Sequence, residues 1–268
     1  MTQTQPQFLA VGEHKHKRRI AYLSQKPESE REATGIIWLG GLKSDMVSTK
    51  ATALEKWAPG NGFALTRFDY SGHGASDGVF EQTTIGNWLE EAHDVFIKLT
   101  TGPQFLIGSS TGGHIALLLL RDLLTNNRKE AARIKALILI APAWDLTQEL
   151  MWNTFPDDVK REIMEKGFYD FPSDYGEPLR ISKNFIEEGR NHLFKRKPFN
   201  PGRPMVILQG GLDTSVPPRH SRELMEFLQG GWGQLIEVPD GDHSLSRQED
   251  LELLFKTIIE QRESVAKG

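Results

Sequence analysis

The sequence predicts an α/β fold in which a mostly parallel central sheet is flanked by helices, and three observations carry that prediction. Six short aliphatic and β-branched runs, at residues 35–39, 64–69, 104–108, 136–141, 204–209 and 234–239, recur along the 268 residues. Continuous apolar runs of this length are the mark of strands buried on both faces, as parallel strands are. Longer stretches with helical character separate them, at 49–58, 84–99, 112–124, 218–228 and 250–263; the last aligns Leu251, Leu254 and Ile258 along one stripe. The runs also end in small or polar loops, which suits strands that hand over to helices at one edge of a sheet. An earlier antiparallel pair of strands within 14–23 is expected at the sheet edge.

The bulk composition restricts what the chain can do. Hydrophobic residues make up 38% and charged residues 25%, which places it among globular proteins. Lysine and arginine number 32 against 36 acidic residues, so no global positive field recruits nucleic acid. With no cysteine, thiolate catalysis, disulfides and cysteine-based metal sites are excluded. The apolar runs fall well short of the roughly 20 residues that span a bilayer, so no membrane span is expected. The basic run His14-Lys15-His16-Lys17-Arg18-Arg19 is read as a solvated strand or tail.

The interval 144–202 lies between two strand candidates yet is too long for one crossover helix, so an inserted helical cap after the sixth strand is the economical reading. Residues 1–143 and 203–268 then form the core. Within the insert, 157–166 and 180–194 read as helices separated by the turn-rich segment 171–176. Its aromatics are expected chiefly to pack the cap.

Chemistry concentrates in Gly108-Ser109-Ser110-Thr111-Gly112, a G-x-S-x-G pattern directly after one strand and directly before a helix. Such a turn forces its serine into a strained conformation, and the glycines on either side let the chain close around it. A serine hydroxyl is a weak nucleophile that needs a base, and the base needs an orienting partner. His243, in a loop after the last strand candidate, is the one histidine of eight that a late loop could deliver; Asp213 follows the preceding strand. Both emerge at strand C-terminal ends, where open α/β sheets bind ligands. The chain order Ser110, Asp213, His243 is that of the α/β-hydrolase fold. Asp145 is a fallback acid, and Asp242 reads as a turn residue.

Acyl transfer also needs amide donors for the developing oxyanion. The Thr111 N–H opens a helix, and the Leu42 N–H lies in a glycine-containing loop after the strand at 35–39. Gly41, His114, Trp144, Met151 and Trp152 are candidate substrate-pocket residues. His73, in a tight loop, is read as packed rather than catalytic. The remaining histidines lack ligand spacing such as H-E-x-x-H, so neither a metal nor a cofactor is expected.

Several segments together, Gly41-Leu42-Lys43-Ser44-Asp45-Met46, Arg67-Phe68-Asp69-Tyr70-Ser71-Gly72-His73-Gly74, Gly108-Ser109-Ser110, Leu150-Met151-Trp152 and Gly241-Asp242-His243-Ser244-Leu245-Ser246-Arg247, resemble the mitochondrial acyl-protein thioesterase and acyl-glucuronide esterase branch of the α/β-hydrolases and its bacterial relatives. The resemblance runs from about residue 14 to 255. It implies triad roles for Ser110, Asp213 and His243 and oxyanion roles for Leu42 and Thr111. Members tend to carry leucine or methionine at the position of Thr111 and a bulky aromatic at that of His114, so acyl preference does not transfer. Animal members carry an import segment without a counterpart here, from which a cytoplasmic location is expected.

The function expected is hydrolysis of a small-molecule ester or acyl thioester, or of an acylated protein, through an acyl-enzyme. Two readings compete with it: the same triad acting on a peptide, lactone or carbon–carbon bond, and ligand binding with little turnover.

Overall fold

The computed structural model describes residues 5–28, 34–172 and 178–267. Its main sheet begins with β1 (Gln7–Val11) and β2 (Arg18–Gln25), then β3 (Gly35–Leu39), helix α1 (Thr49–Trp57) and β4 (Ala64–Phe68). Next come α2 (Ile85–Leu99), β5 (Gln104–Ser109), α3 (Thr111–Asn126), the short α4 (Arg128–Ala131) and β6 (Ile134–Ile140). An insert follows, holding α5 (Asp157–Lys166), β7 (Phe168–Phe171), β8 (Leu179–Ser182) and α6 (Lys183–Gly189). The chain closes with β9 (Met205–Gly210), α7 (Pro218–Phe227), β10 (Gly233–Val238) and α8 (Gln248–Lys267).

The strands order as β1-β2-β4-β3-β5-β6-β9-β10. Only the pairings of β1 with β2 and of β2 with β4 are antiparallel; the others run parallel. The period-two alternation of strand side chains divides the core into two layers. Ile37, Leu39, Leu106, Leu139 and Ile207 pack on the α2 and α3 side, whereas Ile36, Trp38, Phe105, Ile138 and Val206 pack on the α1 and α8 side. Every residue of β3, β5 and β9 is buried, which is why these strands read as unbroken apolar runs.

The edge differs from the sequence expectation. Strand β1 lies upstream of 14–23, and His14–His16 forms a tight 3-10 turn between β1 and β2. Nor is the basic run wholly solvated. The Arg18 guanidinium pairs with the fully buried Glu91 and, at 2.8 Å, with Glu90. Glu91 also accepts from the Ser71 amide and hydroxyl, at 2.9 and 2.6 Å. A buried carboxylate requires such partners, so Arg18 fastens the start of β2 to α2. That helix starts where Thr84 and Asn87 exchange hydrogen bonds in a capping box.

The insert is not purely helical. Residues Thr147–Trp152 form a π-helical turn, and β7 pairs antiparallel with β8. The expected single helix over 180–194 is therefore divided: Arg180 and Ile181 lie in β8, and the Ser182 hydroxyl accepts from the Phe185 amide at 3.1 Å to start α6. Of the turn-rich segment at 171–176, residues 173–176 lie outside the described residues. Ile181, Phe185 and Ile186 join the core layer on the α2 side, with the Phe185 ring 5.4 Å from that of Trp88. No helix among the described residues is long and apolar enough to cross a membrane.

Candidate active site

Ser110 occupies the turn between β5 and α3 with φ 54° and ψ −117°, a conformation that L-residues avoid. Such strain costs on the order of 1–3 kcal/mol and persists only where surroundings enforce it. Here the Ser110 amide donates to the Ile140 carbonyl at 2.8 Å, and the Ser110 carbonyl accepts from Gly113 and Ala143 at 2.9 and 3.0 Å. The flanking glycines serve close approach. A Cβ at Gly108 would run into the Gly112 carbonyl, and one at Gly112 into the carbonyls of Leu39 and Gly40.

Ser110, Asp213 and His243, from three distant parts of the chain, meet at the C-terminal edge of the sheet. His243 Nε2 lies 3.2 Å from Ser110 Oγ, and His243 Nδ1 lies 2.7 Å from Asp213 Oδ2. Because the carboxylate accepts, Nδ1 carries the proton and Nε2 is left to accept from the serine hydroxyl. Asp213 is buried, and its other oxygen accepts from the Ser215 and Val216 amides at 2.9 and 2.8 Å. Gln209 Nε2 adds a third contact at 3.2 Å to Oδ2, while its own carbonyl accepts from the Ser221 hydroxyl at 2.6 Å. Gln209 and Ser221 escaped the sequence reading, because neither belongs to a motif and their pairing links β9 to α7.

The histidine loop is held from two sides. Asp242 Oδ1 accepts from the Ser244 and Leu245 amides at 2.9 and 3.0 Å, which makes Asp242 a turn residue as expected from its position. The ammonium of Lys50, near the start of α1, donates to the Ser244 carbonyl and lies 3.3 Å from Ser246 Oγ. Burial pushes the Lys50 ammonium down to about 8, against the opposing pull of Asp242 and Asp250.

Opposite the serine, the loop after β3 comes so close that a Cβ on Gly41 would sit 3.4 Å from Ser110 Cβ. Neither the Leu42 nor the Thr111 amide has a hydrogen-bond partner among the described residues. Both are thus uncommitted donors beside the serine. A cavity of about 270 Å³ opens here, lined by Gly41, Leu42, Ser110 and His243 and by the polar side chains of Ser44, Ser48 and Lys50.

Four of the expected pocket residues do not line this cavity. Trp144 is wholly buried, stacked on His220 with ring centroids 4.4 Å apart and donating through Nε1 to the His220 carbonyl at 2.7 Å. Met151 and Trp152 sit in the π-helical turn, where the Arg190 guanidinium lies 5.2 Å from the Trp152 ring centre. The fallback acid Asp145 gives its two oxygens to the amides of Phe194 and Lys195, at 2.6 and 2.8 Å, so it anchors the end of the insert.

His114 is likewise enclosed, with Nε2 3.3 Å from the His192 carbonyl and Nδ1 without a partner among the described residues. Burial above all lowers its pKa to about 3, and burial raises that of Asp145, so their 3.9 Å approach is not an ion pair. The folded value lies below the ordinary histidine value of 6.5. Stability is therefore complete above that value and falls as pH drops toward 3, by about 1.4 kcal/mol per unit. His114→Phe removes this slope. Between pH 7 and 5 the wild type should lose about 2 kcal/mol more than the variant in urea unfolding; equal losses would mean that His114 is accessible to protons in the native state.

Serine, aspartate and histidine in that chain order, each just beyond a parallel strand, separate this architecture from the other folds that bring such groups together. The molecule is an α/β hydrolase. Residues 44–170 match the family described as serine aminopeptidase, S33. The mitochondrial palmitoyl-protein thioesterase ABHD10 of Bos taurus is 32% identical over 268 residues, spanning 96% of this chain and 84% of its own. Among solved structures, a putative hydrolase from Agrobacterium vitis S4 has a TM-score of 0.91 at 37% identity, covering 96% of this chain and 98% of that one. Mouse alpha/beta hydrolase domain-containing protein 10 has a TM-score of 0.82 at 30% identity, covering 98% and 100%. The chain belongs to the ABHD10 family of α/β hydrolases.

These relatives overturn the expected cytoplasmic location. The curated relatives are mitochondrial by name, and the character of the first residues is no guide to compartment.

Proposed function

We propose that this protein is a serine hydrolase that cleaves carboxylic ester or acyl thioester bonds in two steps. Ser110 attacks the carbonyl while His243 takes its proton, the Leu42 and Thr111 amides stabilise the oxyanion, and water then releases the acid from the acyl-enzyme. The observation that carries this reading is the continuous relay of hydrogen bonds, 3.2 Å and 2.7 Å long, from Ser110 through His243 to Asp213. The two uncommitted amides beside the serine complete the requirements for acyl transfer. Residues 144–202 act as a cap over the acyl group, and acylated protein joins small esters as a candidate substrate, in keeping with the palmitoyl-protein thioesterase name of the relatives.

A fluorophosphonate probe should label Ser110 stoichiometrically. Initial rates on p-nitrophenyl esters and acyl thioesters of graded chain length, alongside peptide arylamides, would define the electrophile. Turnover of esters or thioesters well above that of arylamides is expected. Labelling without turnover of any ester would instead identify a ligand receptor, and turnover confined to arylamides would identify a peptidase.

A further inference from the structure

We propose that His73 is a positioning residue for the oxyanion loop: its unprotonated Nε2 holds the Lys43 amide and thereby fixes the aim of the neighbouring Leu42 N–H. The inference rests on the acyl-transfer reading of the site and assigns work to a histidine outside the triad. The Lys43 amide lies 3.0 Å from His73 Nε2 and must donate, so this nitrogen carries a lone pair. The proton is then on Nδ1, which lies 3.1 Å from the Ser71 carbonyl and donates to it.

A ring that anchors a loop must itself be fixed, and His73 is. It is only 5% exposed and stands edge-on to Phe80 and Trp88, with ring centroids 5.5 and 5.3 Å away. Trp88 Nε1 donates to the same Ser71 carbonyl at 3.2 Å. The backbone around the histidine is equally constrained: Gly72 has φ +73°, and a Cβ there would strike the Phe80 backbone. On the far side of the bond, Lys43 holds φ 57°, a left-handed conformation that a non-glycine residue keeps only under restraint. The Lys43 ammonium lies 4.1 Å from the Phe80 ring centre, which closes the same cluster.

Without an acceptor at Nε2, the strained turn at Lys43 keeps only its internal bond from the Ser44 amide to the Gly41 carbonyl, 3.1 Å, loses its tie to the rest of the fold, and lets the Leu42 amide one residue earlier drift from its aim at the carbonyl beside Ser110. Burial lowers the imidazole pKa, and the facing Lys43 charge adds to that while the Ser71 carbonyl and Asp45 oppose it; the net effect keeps Nε2 unprotonated.

The test compares the full chain with His73→Phe and His73→Gln on a p-nitrophenyl ester and against a trifluoromethyl ketone, which forms the same oxyanion. His73→Phe should lower kcat by about 10- to 100-fold, part of what losing a whole oxyanion donor costs. KM should stay within about two-fold, and ketone affinity should fall in parallel with kcat/KM. His73→Gln, whose amide oxygen can accept from Lys43, should recover most of the rate. Nitrogen-15 spectra of the wild-type imidazole should show the proton on Nδ1, a readout that needs no variant to fold. A proton on Nε2, an unchanged kcat in His73→Phe, or a glutamine variant as impaired as the phenylalanine one would each overturn the inference while leaving the hydrolase reading intact. A wild type that turns over no ester would remove both.

Discussion

Replacing Ser110 by alanine should lower ester turnover by about six orders of magnitude, because the triad works as a unit and what remains is catalysis by binding and oxyanion stabilisation alone. The substitution removes a single oxygen. Its backbone ties to Ile140, Gly113 and Ala143 involve only main-chain groups, so the fold should keep its stability within about 1 kcal/mol. Substrate should still bind with a similar dissociation constant. Purified variant retaining more than a few per cent of wild-type rate, at unchanged fold by circular dichroism, would remove Ser110 from the mechanism.

Asp213→Asn should cost about four orders of magnitude in kcat with the geometry almost intact, as happens when a triad histidine is held in the wrong tautomer. The reason lies in the amides around residue 213. Ser215 and Val216 both donate to Oδ1, so an asparagine must place its oxygen there and turn its NH2 toward His243. Nδ1 is then forced to accept, the ring proton moves to Nε2, and that nitrogen can no longer take the proton of Ser110. Gln209 Nε2, now opposite another donor, opposes the arrangement further. Steady-state rates across pH separate this from misfolding: the loss should ease at high pH if hydroxide can substitute for the base, whereas an unfolded variant gains nothing. Activity within ten-fold of wild type would show that another group orients His243.

The parallel sheet was legible because β3, β5 and β9 are enclosed on both faces and therefore carry no polar alternation to confuse the pattern. The lack of such enclosure hid β1, whose burial varies from exposed to buried along its length and leaves no continuous apolar run. Within the insert, Arg180 and Ile181 continue the helical pattern of the residues that follow, yet pairing with Asp170 and Tyr169 makes them strand. That outcome depends on a tertiary partner and not on local preference. The convergence of Ser110, Asp213 and His243 could be read from the sequence because strand ends mark where side chains must emerge. The surroundings could not: Gln209 and Ser221 belong to no motif and meet only once β9 and α7 pack together, and Lys50 reaches a carbonyl in a loop far along the chain. Trp144 and His114 lie close in sequence to the insert and the nucleophilic turn, which suggests a pocket position, whereas packing turns both inward.

None of the hydrogen bonds joining Ser110, His243 and Asp213 passes through residues 144–202; they depend on the ends of β5, β9 and β10. On the proposed role of residues 144–202 as a cap, admission and bond cleavage are separable modules in this architecture. On that proposal, a chimaera carrying a homologue's residues over 144–202 on this sheet should change its substrate range with its reactive centre unaltered, so diversification can proceed in one part of the gene while the other stays fixed.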